Sequence, residues 1–510
     1  MNRQIRRVAA TVGVLMLALL VNLNFVQVVK GNSYRNNPDN RRVILSEYSN
    51  PRGPIIVGGT PIADSVPTND ELKYLREYPQ GPVYAPLTGF YSLDYGKDGL
   101  EDAEDGILGG TDSRLFGARI DDLITGRDPR GGSIVLTVNN AAQQAAYKAM
   151  AKQKGAVVAL DPTTGAILAA VSLPSYDPNQ LSSHNSAAIS AYWLSLDPTN
   201  QDSPLANRAF GTTYPPGSVF KIIMSAAALK AGLTPTSSIP APNTYWPLGG
   251  SGACPQNGTA PCVENFGGET CQNGTTATLA FALAKSCNTA FAELGVRTLG
   301  GPAVASEAKL FGLDTGPMNV PLTVAGSTVG TSADLSDPAA LAQTSFGQRD
   351  VQITPLQGAM MASAVADRGT LMKPYLVAQE RAPDLSVVSQ AQPSQLSQVL
   401  DPNLDDELSQ MMVGVVQTGT GTAAQITDIP DVTVGGKTGT ADTGDYVNGV
   451  QTPPHAWFVG FADQNGTPKI AVAVIIENGG VNGNETTGGL AAAPIAKAVM
   501  EAYLNSAAGH

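Results

Sequence analysis

Apolar, β-branched runs stand at both ends of a long stretch of this chain, and Ala-rich segments fill the distance between them. The early pair covers residues 156–160 and 166–171, joined by the turn-forming string Asp161-Pro162-Thr163-Thr164-Gly165. Two such runs around an Asp/Pro/Gly turn predict a hairpin. The late set begins with Val432-Thr433-Val434-Gly435-Gly436-Lys437 and continues through 457–461 and 470–476. Strands at both ends of a domain, with helices between, predict an antiparallel sheet assembled from distant segments and flanked by helices. The class is therefore α+β. Residues 490–504 predict a closing amphipathic helix.

The first thirty residues follow a different rule. Arg3, Arg6 and Arg7 precede a run without charge from Val8 to Val29. As helix that run spans roughly 33 Å, enough to cross a bilayer core. A cleaved signal peptide and an uncleaved anchor both fit the dense part, 8–21. No Ala-x-Ala-like site follows, and residues 22–40 contain no Ala, so the expectation is an anchor. The arginines then stay cytoplasmic and the chain beyond Lys30 faces outward.

Residues 31–139 are polar and turn-rich. Arg52-Gly53-Pro54 leads into a predicted strand to Gly59, residues 101–105 read as an acidic loop, and residues 127–132 read as a turn. A strand over 133–138 then meets Asn139-Asn140, a helix cap before an Ala/Gln-rich helix reaching Lys154. Composition changes there. The expected division is 1–30 as cytoplasmic stub and transmembrane anchor, 31–139 as a smaller β-rich non-catalytic domain of pedestal or dimerisation type, and 140–510 as the catalytic domain. A net charge of −12, with no basic stripe beyond the first seven residues, argues against a nucleic-acid partner. The histidines His184, His455 and His510 are scattered and the cysteines lack C-x-x-C spacing, so no metal or cofactor is expected.

Chemistry concentrates in three short segments. Tyr214-Pro215-Pro216-Gly217-Ser218-Val219-Phe220-Lys221 opens an apolar helix. Ser218 sits in its first turn, and Lys221 follows on the same face. A serine hydroxyl needs a base to become a nucleophile, and a buried lysine near other cations can supply one. Ser286-Cys287-Asn288 follows an Ala-rich helix, 277–285, and suits a turn that offers a hydroxyl and a carboxamide. Lys437-Thr438-Gly439-Thr440 lies on a predicted strand, where the preceding Gly435-Gly436 pair suggests close approach by another backbone, such as a substrate along an edge. Each segment alone has a plainer explanation: a capping serine, a helix-ending Ser/Asn turn, an edge strand guarded by lysine. Their ordered combination is specific to serine β-lactamases and penicillin-binding proteins.

On these motifs the chain resembles the class B penicillin-binding proteins, in particular the actinobacterial penicillin-binding protein A type. Asn207-Arg208-Ala209, the 161–165 hairpin and His455-Ala456-Trp457-Phe458-Val459-Gly460-Phe461 are similar to the family too. Arg52-Gly53 resembles the start of the family's N-terminal segment, but the usual Asp-Arg-Asn-Gly continuation is missing. The resemblance implies the penicillin-binding-protein transpeptidase fold, a single transmembrane helix, and a peptidoglycan D,D-transpeptidase without cofactor, inhibited by β-lactams and acting in cell wall synthesis and cell division. It implies that Ser218 attacks the carbonyl between two D-alanines of a stem peptide while Lys221 takes its proton. Ser286 would relay a proton to the leaving amine, and Asn288 would bond the substrate's backbone. Lys437 would add positive potential, Thr438 and Thr440 would hold the terminal carboxylate on either side of Gly439, and the N–H groups of Ser218 and Thr440 would form the oxyanion hole. The implied setting is the bacterial cell membrane, catalytic domain outside the cytoplasm, beside a SEDS-type glycan polymerase and divisome proteins.

A secreted β-lactamase would be one compact domain and would need a water-activating base. A D,D-carboxypeptidase differs only in using water as acceptor, and a membrane-bound β-lactam sensor would need a signalling domain. The N-terminal module favours the transpeptidase over the carboxypeptidase, the extra length and the anchor count against the β-lactamase, and the seven residues before the anchor are too few for a sensor's signalling domain. Four cysteines, Cys254, Cys262, Cys271 and Cys287, allow three connectivities. Pairing by proximity predicts Cys254–Cys262 and Cys271–Cys287, whereas Cys287 unpaired would pack as a small apolar residue.

Overall fold

The distant apolar runs meet in one sheet. The computed structural model describes residues 2–31, 34, 45, 47–117, 130–255, 261–444, 446–447 and 450–507. The first part of the expected 127–132 turn, 127–129, and His510 lie outside them. The strands that matter are β1 (Ile55–Val57), β2 (Thr60–Pro67), β3 (Tyr74–Glu77), β4 (Ser133–Leu136), β5 (Gly155–Leu160), β6 (Ile167–Leu173), β7 (Val377–Arg381), β8 (Val387–Gln390), β9 (Val432–Ala441), β10 (His455–Gln464) and β11 (Thr467–Ile476). The helices are α1 (Asn2–Asn24), α2 (Asn140–Met150), α3 (Lys221–Lys230), α4 (Leu279–Ala284), α5 (Asn288–Glu293), α6 (Pro355–Ala366), α7 (Pro402–Gln417) and α8 (Ala493–Ala507).

The central sheet runs β9-β10-β11-β5-β6 and is antiparallel throughout. Both faces are buried, so its strands read as continuous apolar runs, and the two-residue period decides which face each side chain joins. Ala156, Val158, Ala471, Ala473, Ile475, Trp457 and Val459 fall in one core, while Val157, Ala159, Val472, Val474, Ala456 and Phe458 fall in the other. On the first face lies α6, buried along its whole length. A Cβ at its Gly358 would stand only 3.2 Å from Ala473 and Val459, so glycine there allows tight seating on the sheet. On the second face α2 and α8 pack together. The first of these helices stops at Met150, short of the expected Lys154. At Gly155 a Cβ would meet the Ile475 carbonyl, so the chain must leave the helix early to pair closely with β11.

A second sheet, ordered β8-β7-β4-β1-β2-β3, forms the N-terminal part. Its β7 and β8 arrive from beyond residue 370, and β1 pairs parallel with β4. The acidic segment 101–105 is not a loop but lies in two helical turns, Leu100–Ala103 and Asp105–Leu108. The reason is an ion cluster beneath them. Glu101, fully buried, accepts from Arg52 Nε at 2.5 Å, Arg76 Nε at 2.7 Å and Tyr78 Oη at 3.1 Å. Burial alone would push the Glu101 carboxyl up, but Arg76 and Arg52 outweigh it and hold it below its ordinary range. Replacing Glu101 with alanine takes the carboxylate from the buried Arg76 guanidinium and leaves Arg52 only Asp105 as a carboxylate partner, and the expected loss is about 3–5 kcal/mol of stability by denaturant titration. The lowered pKa also fixes the sign of a pH effect. Stability from this group is complete above the ordinary carboxylate range and is lost as pH falls through the lowered value.

The helix over Arg3–Val29 is long and apolar enough to cross a membrane once, and its apolar stretch is not buried against any of the described residues. Leu15, Leu17, Leu19 and Leu20 are all exposed along it, which rules out a soluble core helix.

Candidate active site

The nucleophile turn rests on the edge of the central sheet. Gly217 to Phe220 form a single 3-10 turn before α3, so Ser218 lies just ahead of the α-helix and Lys221 is its first residue. The turn approaches β9 backbone to backbone. Gly217 has φ 54°, and a Cβ there would stand 2.7 Å from the Thr440 carbonyl, just as one at Gly439 would stand 2.7 Å from the Pro216 carbonyl. Two glycines therefore set the spacing between the serine and the Lys-Thr-Gly strand. The Gly435-Gly436 pair has a different purpose from the one expected. Cβ atoms there would collide with the rings of Phe461 and Phe458, so these glycines admit neighbouring aromatic side chains rather than a substrate. The strand β9 is nonetheless the open edge of its sheet.

Ser286 closes α4. Its N–H donates to the Leu283 carbonyl, and the Cys287 N–H donates to Ala282. This is a Schellman arrangement, which puts Ser286 in the left-handed position usually taken by glycine; its φ is 62°. The plainer explanation, a helix-ending turn, and the functional one hold together, because that turn aims the serine at the two lysines. Asn288 opens α5. The structure pairs Cys254 with Cys262 and Cys271 with Cys287, which ties the middle of this motif to the cleft wall.

The three segments converge on Lys221. Its Nζ lies 3.0 Å from Ser218 Oγ, 2.7 Å from the Ser286 carbonyl, 3.2 Å from Ser286 Oγ and 2.8 Å from Asn288 Oδ1. The side chain is fully buried. Burial, and then the neighbouring Lys437 charge, push its pKa well below the ordinary lysine range. A neutral amine has two N–H groups and one lone pair. The Ser286 carbonyl and Asn288 Oδ1 can only accept, and together they use both N–H groups. The lone pair is left for a hydroxyl proton, which Ser218 supplies. Lys437 Nζ bonds Ser286 Oγ at 2.9 Å and the Thr438 carbonyl at 2.9 Å, and burial lowers its pKa to about 7. The Ser286 hydroxyl thus lies between two amines, bonded to Lys437 and 3.2 Å from Lys221, whose third N–H can reach it once that amine has taken a proton.

In front of these groups opens a cleft of about 540 Å³, lined among others by Ser218, Ser286, Asn288, Thr438, Thr440 and Phe266. Of the three segments, Ser218, Ser286, Asn288, Thr438 and Thr440 line it, Lys221 and Lys437 are buried in the wall, and Gly439 lies beneath the Ser218 turn, whereas Arg208 is turned toward Glu477. Other contributors carry no motif. Thr420 bonds Thr438 hydroxyl to hydroxyl at 2.5 Å. Asn265 accepts from the Thr289 N–H at 3.1 Å and so fixes the start of α5. Thr487, Gly488 and Leu490 supply the far wall. Isolated threonines and asparagines in loops give no periodic signal, and only the folded chain brings them to the cleft.

Comparison with known proteins agrees with this geometry. Residues 155–501 match the penicillin binding protein transpeptidase domain family, and residues 52–134 match the penicillin binding protein A dimerisation domain. The chain is 47% identical over 509 residues, 99% of each chain, to a Mycobacterium tuberculosis protein named peptidoglycan D,D-transpeptidase PbpA. It is 46% identical, again over 99% of each, to the Mycolicibacterium smegmatis protein of that name. Among solved structures it is similar to penicillin-binding protein A from M. tuberculosis as a ceftriaxone acyl-enzyme complex, with TM-score 0.83, 47% identity, and coverage of 90% of this chain and 100% of that one.

Proposed function

The chain belongs to the penicillin-binding protein transpeptidases and is a peptidoglycan D,D-transpeptidase that β-lactams acylate; from that premise we propose how its own residues divide the work. Ser218 is the nucleophile and Lys221 its base. The hydroxyl proton passes to the Lys221 lone pair as Oγ forms a bond to the carbonyl of the penultimate D-alanine. The tetrahedral oxyanion is held by the backbone N–H groups of Ser218 and Thr440. The C–N bond then breaks, and the proton travels through the Ser286 hydroxyl to the departing D-alanine amine. An amine from a second stem peptide accepts the acyl group by the reverse route. Asn288 binds the donor's backbone, while Lys437, Thr438 and Thr440 hold its terminal carboxylate beside Gly439. The observation that carries this reading is Lys221 Nζ, placed within hydrogen-bond reach of Ser218, Ser286 and Asn288 at once.

We also propose that α1 anchors the protein, with Arg3, Arg6 and Arg7 on the cytoplasmic side and the cleft outside. The chain then divides into the anchor, a non-catalytic domain to residue 139 and the transpeptidase domain, as the change of composition there supports. A SEDS-type glycan polymerase and divisome proteins are the proposed partners, and the support for them is the family resemblance.

The test is labelling of the full-length protein with fluorescent penicillin. Wild-type protein takes one stable label on the Ser218 peptide, and Ser218→Ala takes none. Stable labelling of the alanine variant would overturn the assignment.

A further inference from the structure

Behind the nucleophile turn, away from the cleft, lies a buried polar cluster that the reaction scheme does not use. Glu477 directly follows β11 and is 8% exposed. Its Oε1 accepts from Arg208 Nε at 2.9 Å and from the Tyr214 hydroxyl at 2.7 Å. Its Oε2 lies 2.7 Å from Lys154 Nζ, which also pairs with Asp202 at the surface. The Glu477 N–H donates to the Lys154 carbonyl at 2.8 Å. One carboxylate thus binds both ends of the segment that leads from Arg208 to Tyr214, four residues before Ser218.

The rest of that approach is fixed by backbone bonds. Tyr214 exchanges two hydrogen bonds of 2.9 Å with Ile353, the Pro215 carbonyl accepts from Trp457 Nε1 at 3.0 Å, and Gly217 N–H donates to Gly347 at 2.8 Å. These hold the main chain. Glu477 holds the Tyr214 side chain from across the fold at its hydroxyl, with Thr212 as a second, local partner, and burial with the adjoining carboxylate keeps that phenol protonated as a donor. In the other direction, Asn478 N–H donates to His455 Nδ1 at 3.1 Å, and the chain from Glu477 continues to Thr486, whose hydroxyl bonds the Gly479 carbonyl at 2.7 Å. The next residues, Thr487 and Gly488, are the cleft's far wall.

We propose that Glu477 is a positioning residue for acylation: its buried carboxylate joins the approach to the nucleophile turn and the root of the opposite cleft wall in one arrangement. It touches neither substrate nor reacting atoms. Its effect is on the geometry of Ser218, and the inference rests on Ser218 being the nucleophile. A carboxylate is needed because two of the three donors, Arg208 and Lys154, are cations. The amide of a glutamine can still accept from Arg208 and Tyr214, but its NH2 then faces the Lys154 ammonium. Misplacing a nucleophile by a fraction of an ångström lowers the chemical step far more than it alters ligand binding.

The experiment is stopped-flow acylation of full-length protein by fluorescent penicillin, resolving the dissociation constant of the first complex from the acylation rate constant, with peptide mapping of each adduct. For Glu477→Ala the expected acylation rate constant falls about 30-fold, with the dissociation constant changed less than about threefold. Glu477→Gln falls between that variant and the parent. Tyr214→Phe deletes one hydroxyl, leaves the ring against Trp457 and His455, and lowers the rate constant about fivefold; it decides the matter if Glu477→Ala does not fold. Acylation within about twofold of the parent in the folded variants, accompanied only by a lower melting temperature, makes the carboxylate a structural anchor and overturns the proposal. A label mapped away from Ser218 in the parent instead overturns the nucleophile assignment itself, so the two failures are distinguishable.

Discussion

Lys221→Met lowers the rate of Ser218 acylation about a thousandfold, the scale at which a general base contributes. Methionine is close to lysine in length and is apolar, so it fills a fully buried site that already favours the neutral form of the side chain. Loss of activity in a variant that melts near the parent temperature therefore isolates the missing lone pair. Lys221→Arg fails as completely for a different reason, because a guanidinium keeps its proton at any working pH. The pH profile carries the same claim in a second form. Acylation requires Lys221 unprotonated, so the rate rises as pH passes its pKa, and that rise falls well below the usual lysine range of about 10.4. Burial is the larger cause of the lowering and the Lys437 charge the next. Lys437→Met removes the neighbouring cation, makes a protonated Lys221 less costly, and moves the rise to higher pH. An unmoved profile in that variant would show that the two amines do not share a field, and stopped-flow rates measured from about pH 5 to about pH 10 decide it.

How the chain encodes this site explains which parts of it can be read without coordinates. The central sheet was legible because both of its faces are buried, which leaves apolar runs at 156–160, 166–171, 457–461 and 470–476 that polar loops cannot imitate. The three catalytic segments were legible because each places a chemically unusual residue beside a turn or a helix end. What escaped has a common physical origin in pairing at a distance. The strands β7 and β8 complete the N-terminal sheet, yet Val377–Arg381 is half-buried along its whole length and shows no alternation, so no pattern announces its partner. Glu101 reads as one acid among several until Arg52, just ahead of β1, and Arg76, on β3, close over it. Glu477 and Thr420 likewise gain meaning only from their neighbours. The Gly435-Gly436 pair misled for the same reason: a glycine reports that something comes close, but not whether that is a substrate backbone or the ring of Phe461.

Ser286 is where function and local stability conflict, and its substitution separates them. Both Ser286→Ala and Ser286→Gly remove the hydroxyl that bridges Lys221 and Lys437, so both are expected to slow acylation about a hundredfold, the lower range for loss of a proton-transfer group. They differ in the backbone. At φ 62° an alanine keeps the crowding of a Cβ in the left-handed region, whereas glycine at the C′ position of a Schellman turn has none. The glycine variant is therefore expected to be more stable than the alanine variant by about 1 kcal/mol, or roughly 1 °C in melting temperature for a domain as large as 140–510. Comparing the two variants with each other cancels the lost hydrogen bonds, which comparison with the parent would not. Equal melting temperatures would mean that the turn relaxes when the hydroxyl is gone. A serine at this position is then tolerated for its chemistry: a glycine would end the helix with less strain, but it has no hydroxyl to carry a proton between the two amines and the departing D-alanine.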